Sequence, residues 1–279
     1  MARRVLVPLD GSDYSKVATR LAIDIVEDNG GTVVGLGVVD EEEIEESVIG
    51  AGIGASYYAE HLSDYKKNKA LGKIKNFIED FEEMCKDAKV KFESYTKSGD
   101  PVEEIIQLGK TSDLIITGTR TFFHFETTPE PGDTLQELLE ASVCPILAVP
   151  QKLNNWKGDV LIAYDESIFA AKAMKMYVRY AKSYKKLKKI YVLNVNDDID
   201  ESNRILNSVQ KYFDSHGLKI EKVSRVGKPR DEIIKFAKEN NIRTIVMGAY
   251  GVKGISRLFF GHASRNVLED GSIPMFVYH

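Results

Sequence analysis

The feature that most constrains this chain is that it repeats itself. The run Val5-Leu6-Val7-Pro8-Leu9-Asp10-Gly11-Ser12 is echoed by Val160-Leu161-Ile162-Ala163-Tyr164-Asp165-Glu166-Ser167, 155 residues later. Gly99-Asp100-Pro101-Val102-Glu103-Glu104-Ile105-Ile106 returns as Gly227-Lys228-Pro229-Arg230-Asp231-Glu232-Ile233-Ile234, at an offset of 128. Leu114-Ile115-Ile116-Thr117-Gly118 matches Thr244-Ile245-Val246-Met247-Gly248 at 130, and Cys144-Pro145-Ile146-Leu147-Ala148-Val149 matches Ile273-Pro274-Met275-Phe276-Val277-Tyr278 at 129. Four matches in one order mean two copies of one unit. The fall from 155 to 128 gives the first copy about 27 extra residues between Asp40 and Gly99. Residues 41–63 fit that excess, starting acidic, passing through Gly50-Ala51-Gly52-Ile53-Gly54 and showing no clean period. The copies are expected at 1–150 and 158–279, joined by a polar linker.

Each copy alternates short apolar runs with amphipathic stretches. In the second, strands are expected at 160–164, 190–194, 219–224, 243–247 and 275–278, with Ser167 capping the first helix and Pro229 opening the third. Strands apolar on both faces, separated by helices, predict a parallel sheet covered on two sides. The predicted fold is therefore α/β, two doubly wound five-stranded domains of flavodoxin-like class in the order 3-2-1-4-5.

Composition excludes several function classes. With 43% hydrophobic and 29% charged residues and a formal charge of −4, the chain has no general affinity for nucleic acid. The basic run at 182–189 reads as a solvated helix end. Two cysteines, Cys85 and Cys144, make neither a disulfide framework nor a metal cluster, and favour a reducing, cytoplasmic setting. Pro8 and Asp10 break the first apolar run before it reaches the length of a signal peptide, and no stretch has the length of a membrane span. The five histidines are scattered, so no metal site is expected. Gly-x-Ser-x-Gly and Walker A patterns are absent. The glycines at 50–54 fit a dinucleotide fingerprint in form alone, since no strand precedes them.

In an open parallel sheet, ligands bind beyond the carboxyl ends of strands where the order reverses, here between the first and fourth strands. In the second copy those ends carry Asp165 and Gly248. The loop that follows holds Gly248, Gly251, Lys253, Arg257, Gly261, His262 and Ser264. Glycines let backbone approach a ligand, and a helix expected at 262–269 offers free N–H groups to an anion.

The spacing Gly-x2-Gly-x9-Gly at Gly248, Gly251 and Gly261 resembles the nucleotide-binding motif of the universal stress protein family. The run from Gly261 to Val267, the ending Ile273-Pro274-Met275-Phe276-Val277, both Asp-x-Ser starts and the Gly-x-Pro before the third helix are similar to that family as well. The likeness covers almost the whole chain twice, as in a tandem member, and implies an adenine nucleotide alpha hydrolase-like fold. It further implies that Ala163, Asp165 and Val195 flank adenine and ribose, while Gly248, Gly251, Gly261 and Ser264 hold ribose and phosphates. The implied ligand is ATP or AMP, with or without Mg2+. The family has Ser or Thr after its third glycine, where this chain has His262. A protonated imidazole there would strengthen phosphate binding as pH falls.

The first copy departs further. Thr121 stands at the second glycine's place, the spacing to Gly132 is one residue too long, and Asp133 takes the phosphate-contacting position with Glu126 and Glu130 nearby. Carboxylates there repel a polyanion, so one nucleotide per chain is expected, in the second copy. Asp10 reads as a turn former, Asp165 as a ligand contact. No catalytic residue is assigned. A non-enzymatic stress-response regulator, a slow ATP hydrolase and a nucleotide-free scaffold all remain open, since fold alone does not decide among them. The last strand of each copy, around 146–149 and 275–278, is expected at a sheet edge. The copies are expected to pack as a pseudo-dimer, with homodimers forming through those edges.

Overall fold

The runs that are apolar on both faces do become buried parallel strands. The computed structural model describes residues 2–48, 56–125, 134–153, 155–181, 189–249 and 273–279. The chain divides into two units, Ala2–Cys144 and Pro145–His279.

The first unit contains β1 (Arg4–Pro8), α1 (Asp13–Asn29), β2 (Thr32–Val39), α2 (Glu41–Glu46), α3 (Ser56–Asp87), β3 (Lys91–Ser98), α4 (Pro101–Gly109), β4 (Leu114–Gly118) and α5 (Thr134–Ala141). Its strands run in the order β3-β2-β1-β4, with all three pairings parallel. Val5, Leu6 and Val7 of β1 are fully buried because sheet neighbours and helices enclose both of its faces.

The extra residues of this unit are more regular than their sequence suggests. Residues 41–46 form α2, whose N-cap Asp40 accepts from the Glu43 amide at 3.0 Å. The stretch shows no clean period in sequence because a six-residue helix is too short to display one. Its anchor is the single apolar side chain Ile44, which is 2% exposed. From Ser56 the remainder lengthens α3 to 32 residues, against 17 for its counterpart in the second unit.

The second unit contains β5 (Ile146–Val149), β6 (Val160–Ala163), α6 (Ile168–Ala181), β7 (Ile190–Val195), α7 (Ile199–Ser215), β8 (Glu221–Arg225), α8 (Pro229–Glu239), β9 (Thr244–Gly248) and β10 (Met275–Tyr278). The order β8-β7-β6-β9-β10 reproduces the expected 3-2-1-4-5 in full, the arrangement of the first five strands of the dinucleotide-binding fold. Ser167 Oγ accepts from the Ala170 amide at 3.1 Å and caps α6, and Pro229 opens α8 at its first position.

One expectation about edges is overturned. β10 does not end the sheet of its unit: it pairs in parallel with β9 and, on its other side, antiparallel with β5, Met275 opposite Ala148 and Val277 opposite Ile146. Both strands are short and almost wholly buried. Pairing inside the chain satisfies backbone groups that a bare edge would present to a partner.

Candidate functional site

At the carboxyl ends of the second unit's strands, side chains from separate elements converge on one cleft. Ala163 and Asp165 come from the end of β6, Val195 from the end of β7 and Gly248 from the end of β9. These four of the sequence-derived site residues are thus brought together. Gly251, Gly261, His262 and Ser264 lie outside the described residues.

The wall between the polar points is apolar: Ala170 of α6, Leu193, Pro229 and Ile233 of α8, and Met247. Pro229 was named from sequence only as a helix start, and the others look like ordinary core positions of their strand or helix. Such a surface suits the flat face of an aromatic ring, with few polar groups left to orient it. Two bonds fix the backbone of Tyr164 at the floor: its amide donates to Leu193 O at 2.9 Å, and Asn194 Nδ2 donates to its carbonyl at 2.7 Å. Burial raises the Tyr164 phenol above its ordinary value, and the neighbouring carboxylates of Glu166 and Asp165 add to that.

Asp165 is half-buried. Its Oδ1 accepts from the Ser167 amide at 3.0 Å, a local turn of the kind aspartate forms readily. Among the described residues Oδ2 is left without a donor, so it can accept from a ligand. Gly248 lines the cleft and has a packing reason to be glycine as well. A Cβ there would lie 2.5 Å from the backbone carbon of Phe169 and 2.6 Å from Ala170 N. Its bare Cα lets α6 pack against β9.

The corresponding place in the first unit is filled by the protein itself. Asp10 is 7% exposed. Its Oδ1 accepts from Ser12 N at 3.0 Å and Ser12 Oγ at 2.6 Å. Its Oδ2 accepts from Phe122 N at 2.9 Å. Burial raises the Asp10 carboxyl above its ordinary range, against the donors that favour the ionised form. The loop after β4 folds inward: Phe123 is 2% exposed, and Phe125 stands edge-on to Phe77 of α3 with centroids 5.7 Å apart. His124 Nδ1 meets Asp40 Oδ2 at 2.6 Å. That contact and burial act oppositely on the imidazole, and the carboxylate prevails, raising its pKa. Gly11, at φ +73°, lies so close beneath Phe77 that a Cβ would sit 2.2 Å from its ring. Sequence showed Phe122, Phe123 and Phe125 in this loop without revealing them as a plug. Three phenylalanines in four loop positions were the available signal, since a solvated loop seldom carries so many. Asp133, Glu126 and Glu130, held to repel phosphate, lie outside the described residues.

Among the described residues no group of three or more His, Cys, Asp or Glu side chains is placed to hold a metal ion, and no helix is long and apolar enough to cross a membrane. Cys85 and Cys144 are free and buried. Burial pushes their thiols up to about 12 and about 11, far from a reactive thiolate.

The family model described as the universal stress protein family matches residues 1–150 and 198–279. The segment holding Ala163, Asp165 and Val195 falls between those matches. A universal stress protein of Synechocystis is 23% identical over 99% of this chain and 99% of its own length. One from Bacillus subtilis is 26% identical across 53% of this chain and 99% of itself, so that a whole relative spans about half of this chain. Among solved structures, a universal stress protein of Archaeoglobus fulgidus is similar with a TM-score of 0.65 and 22% identity, covering 98% of this chain and 95% of that one. At that identity the likeness speaks for the fold.

Proposed function

The chain belongs to the universal stress protein family, and from that premise we propose that it is a regulator that binds one adenine nucleotide, ATP or AMP, in its second unit. The observation that carries this reading is the convergence of Ala163, Asp165, Val195 and Gly248 on one apolar-walled cleft. The base lies against Leu193, Ile233 and Met247, and Asp165 Oδ2 accepts from the nucleoside. Gly251, Gly261, His262 and Ser264 hold ribose and phosphates in this proposal, with or without Mg2+. The nucleotide acts as a signal rather than a substrate: of the described cleft residues only Asp165 and Tyr164 titrate, and neither forms a pair of nucleophile and base. The protein works in the cytoplasm, and a second copy of the chain is its partner by a surface other than the edge of β10.

Isothermal titration of the intact chain with ATP and with AMP tests the reading, repeated with and without Mg2+. One equivalent per chain is expected, with affinity falling at least about tenfold in Asp165→Ala, the loss of one hydrogen bond made by a charged group. Uptake of two equivalents, or of none, overturns it. Steady phosphate release from ATP by the wild type, abolished in Asp165→Ala, would instead make the protein an enzyme.

A further inference from the structure

The turn that carries Asp165 is held in an unfavourable shape by residues that do not touch the cleft. Glu166 has φ +64°, in the left-handed region. The other described non-glycine residues with positive φ, Lys89 and Asn241, each follow the end of a helix, a place where such a conformation is ordinary. Glu166 follows a strand instead and lies between a candidate ligand contact and the cap of α6. The equivalent turn of the first unit uses Gly11 at φ +73°, where the conformation costs nothing. For a residue with a Cβ the left-handed shape is disfavoured by about five- to thirtyfold.

A guanidinium opposes that cost. Arg204 Nη2 donates to Glu166 Oε2 at 2.7 Å. The same guanidinium is held by Glu201 as well, which accepts from Nε and, alongside Glu166, from Nη2 at 2.7 Å each. Glu201 in turn belongs to the first turn of α7, where its amide donates to the N-cap carboxylate of Asp198 at 3.1 Å. A rigid helix start therefore reaches across to the turn. These side chains are about half exposed, so the pair by itself is modest. The fork between two carboxylates supplies the geometric definition that a lone surface pair lacks.

We propose that Glu166 and Arg204 form a positioning clamp that holds the Asp165-Glu166-Ser167 turn left-handed and so fixes the direction in which the Asp165 carboxylate faces the cleft. The ligand half of this inference rests on the nucleotide reading above. The structural half does not, because the Ser167 amide bonded to Asp165 Oδ1 reports the turn in the free protein.

Amide hydrogen exchange at Ser167 and ATP titration are measured on the wild type, Arg204→Gln, Glu166→Gly and the double variant. Arg204→Gln is expected to speed Ser167 exchange and weaken ATP binding, each by up to about fivefold, the limit for an exposed pair. In the Glu166→Gly background, where no strain needs opposing, the same change at Arg204 should alter neither. Exchange at Ser167 that is unmoved by Arg204→Gln, or moved equally in both backgrounds, overturns the clamp. A wild type that takes up no ATP removes the functional reading, while the exchange cycle still decides the clamp. Exchange that responds as expected while ATP affinity stays constant overturns the link from the turn to the cleft.

Discussion

Two copies of one turn, Asp10-Gly11-Ser12 and Asp165-Glu166-Ser167, show how one motif can end in two different surroundings. Both aspartates accept from the amide two residues on, at the same 3.0 Å. In the first unit the remaining oxygen is taken by Phe122 N, and Phe77 roofs the glycine. In the second, the aspartate lines an apolar-walled cleft. The difference lies in what surrounds the motif: an inward aromatic loop and a lengthened α3 turn a site of this kind into core. A shared motif thus fixes a local turn, while the surrounding packing decides whether that turn faces a cleft or the core.

The strongest way to break this comparison is to remove the plug. Phe123→Ala should destabilise the first unit by about 3–5 kcal/mol, the usual cost of deleting a buried aromatic ring, as read by urea unfolding. It should leave ATP uptake at one equivalent, since Asp10 stays committed to Phe122 and Ser12. A second equivalent would show that packing alone silences the first cleft. Next come the aspartates themselves. Asp10→Ala leaves part-buried donors at Ser12 and Phe122 without an acceptor and should cost about 2–3 kcal/mol with no change in ATP affinity. Asp165→Ala should cost under about 1 kcal/mol in stability, because one half-exposed hydrogen bond is lost, yet it should weaken binding. Equal stability losses would erase the contrast.

The glycines ending β4 and β9 should behave alike, and so sharpen what is common to the units. A Cβ at Gly118 would lie 2.4 Å from Arg120 O and 2.6 Å from Tyr14 Cβ. Alanine at Gly118 or at Gly248 should destabilise its own unit by about 1–3 kcal/mol through overpacking. A change at Gly248 that abolished ATP binding without loss of stability would leave it a ligand role alone. A small, pH-dependent effect belongs to the contact between His124 and Asp40. The His124 pKa is raised in the folded state, so its stabilisation is complete below the unfolded value of about 6.5 and is lost as pH rises through the higher folded value. The deficit of His124→Gln should therefore be about 1 kcal/mol near pH 6 and shrink toward pH 9, by thermal melts across that range. A deficit that grows with pH would contradict the pairing.

Much of this was legible beforehand, for identifiable reasons. Strands such as 160–163 and 244–248 declare themselves because burial on both faces demands unbroken apolar runs, and the repeat fixed their correspondence. Asp165 lines a cleft while Asp10 is buried, a difference that follows from the segments each packs against. What stayed hidden is tertiary. Nothing local distinguishes Leu193 or Met247 as cleft wall from any core residue, and the packing reason for glycine at 248 is a helix passing overhead. The fate of β10 was misjudged because an apolar end strand reads the same whether its outer side meets water or β5. α2 escaped notice because one turn of helix is too short to display a period.

The antiparallel match of β5 with β10 carries a cost in time. Ile146 meets Val277, and Ala148 meets Met275, partners roughly 130 residues further along the chain. Closing so long a loop is slow compared with forming the neighbouring helices and parallel pairs. During synthesis, the side of β5 that pairs with β10 therefore stays open until almost all of the second unit has emerged, and can meanwhile be captured by another nascent chain or by a chaperone.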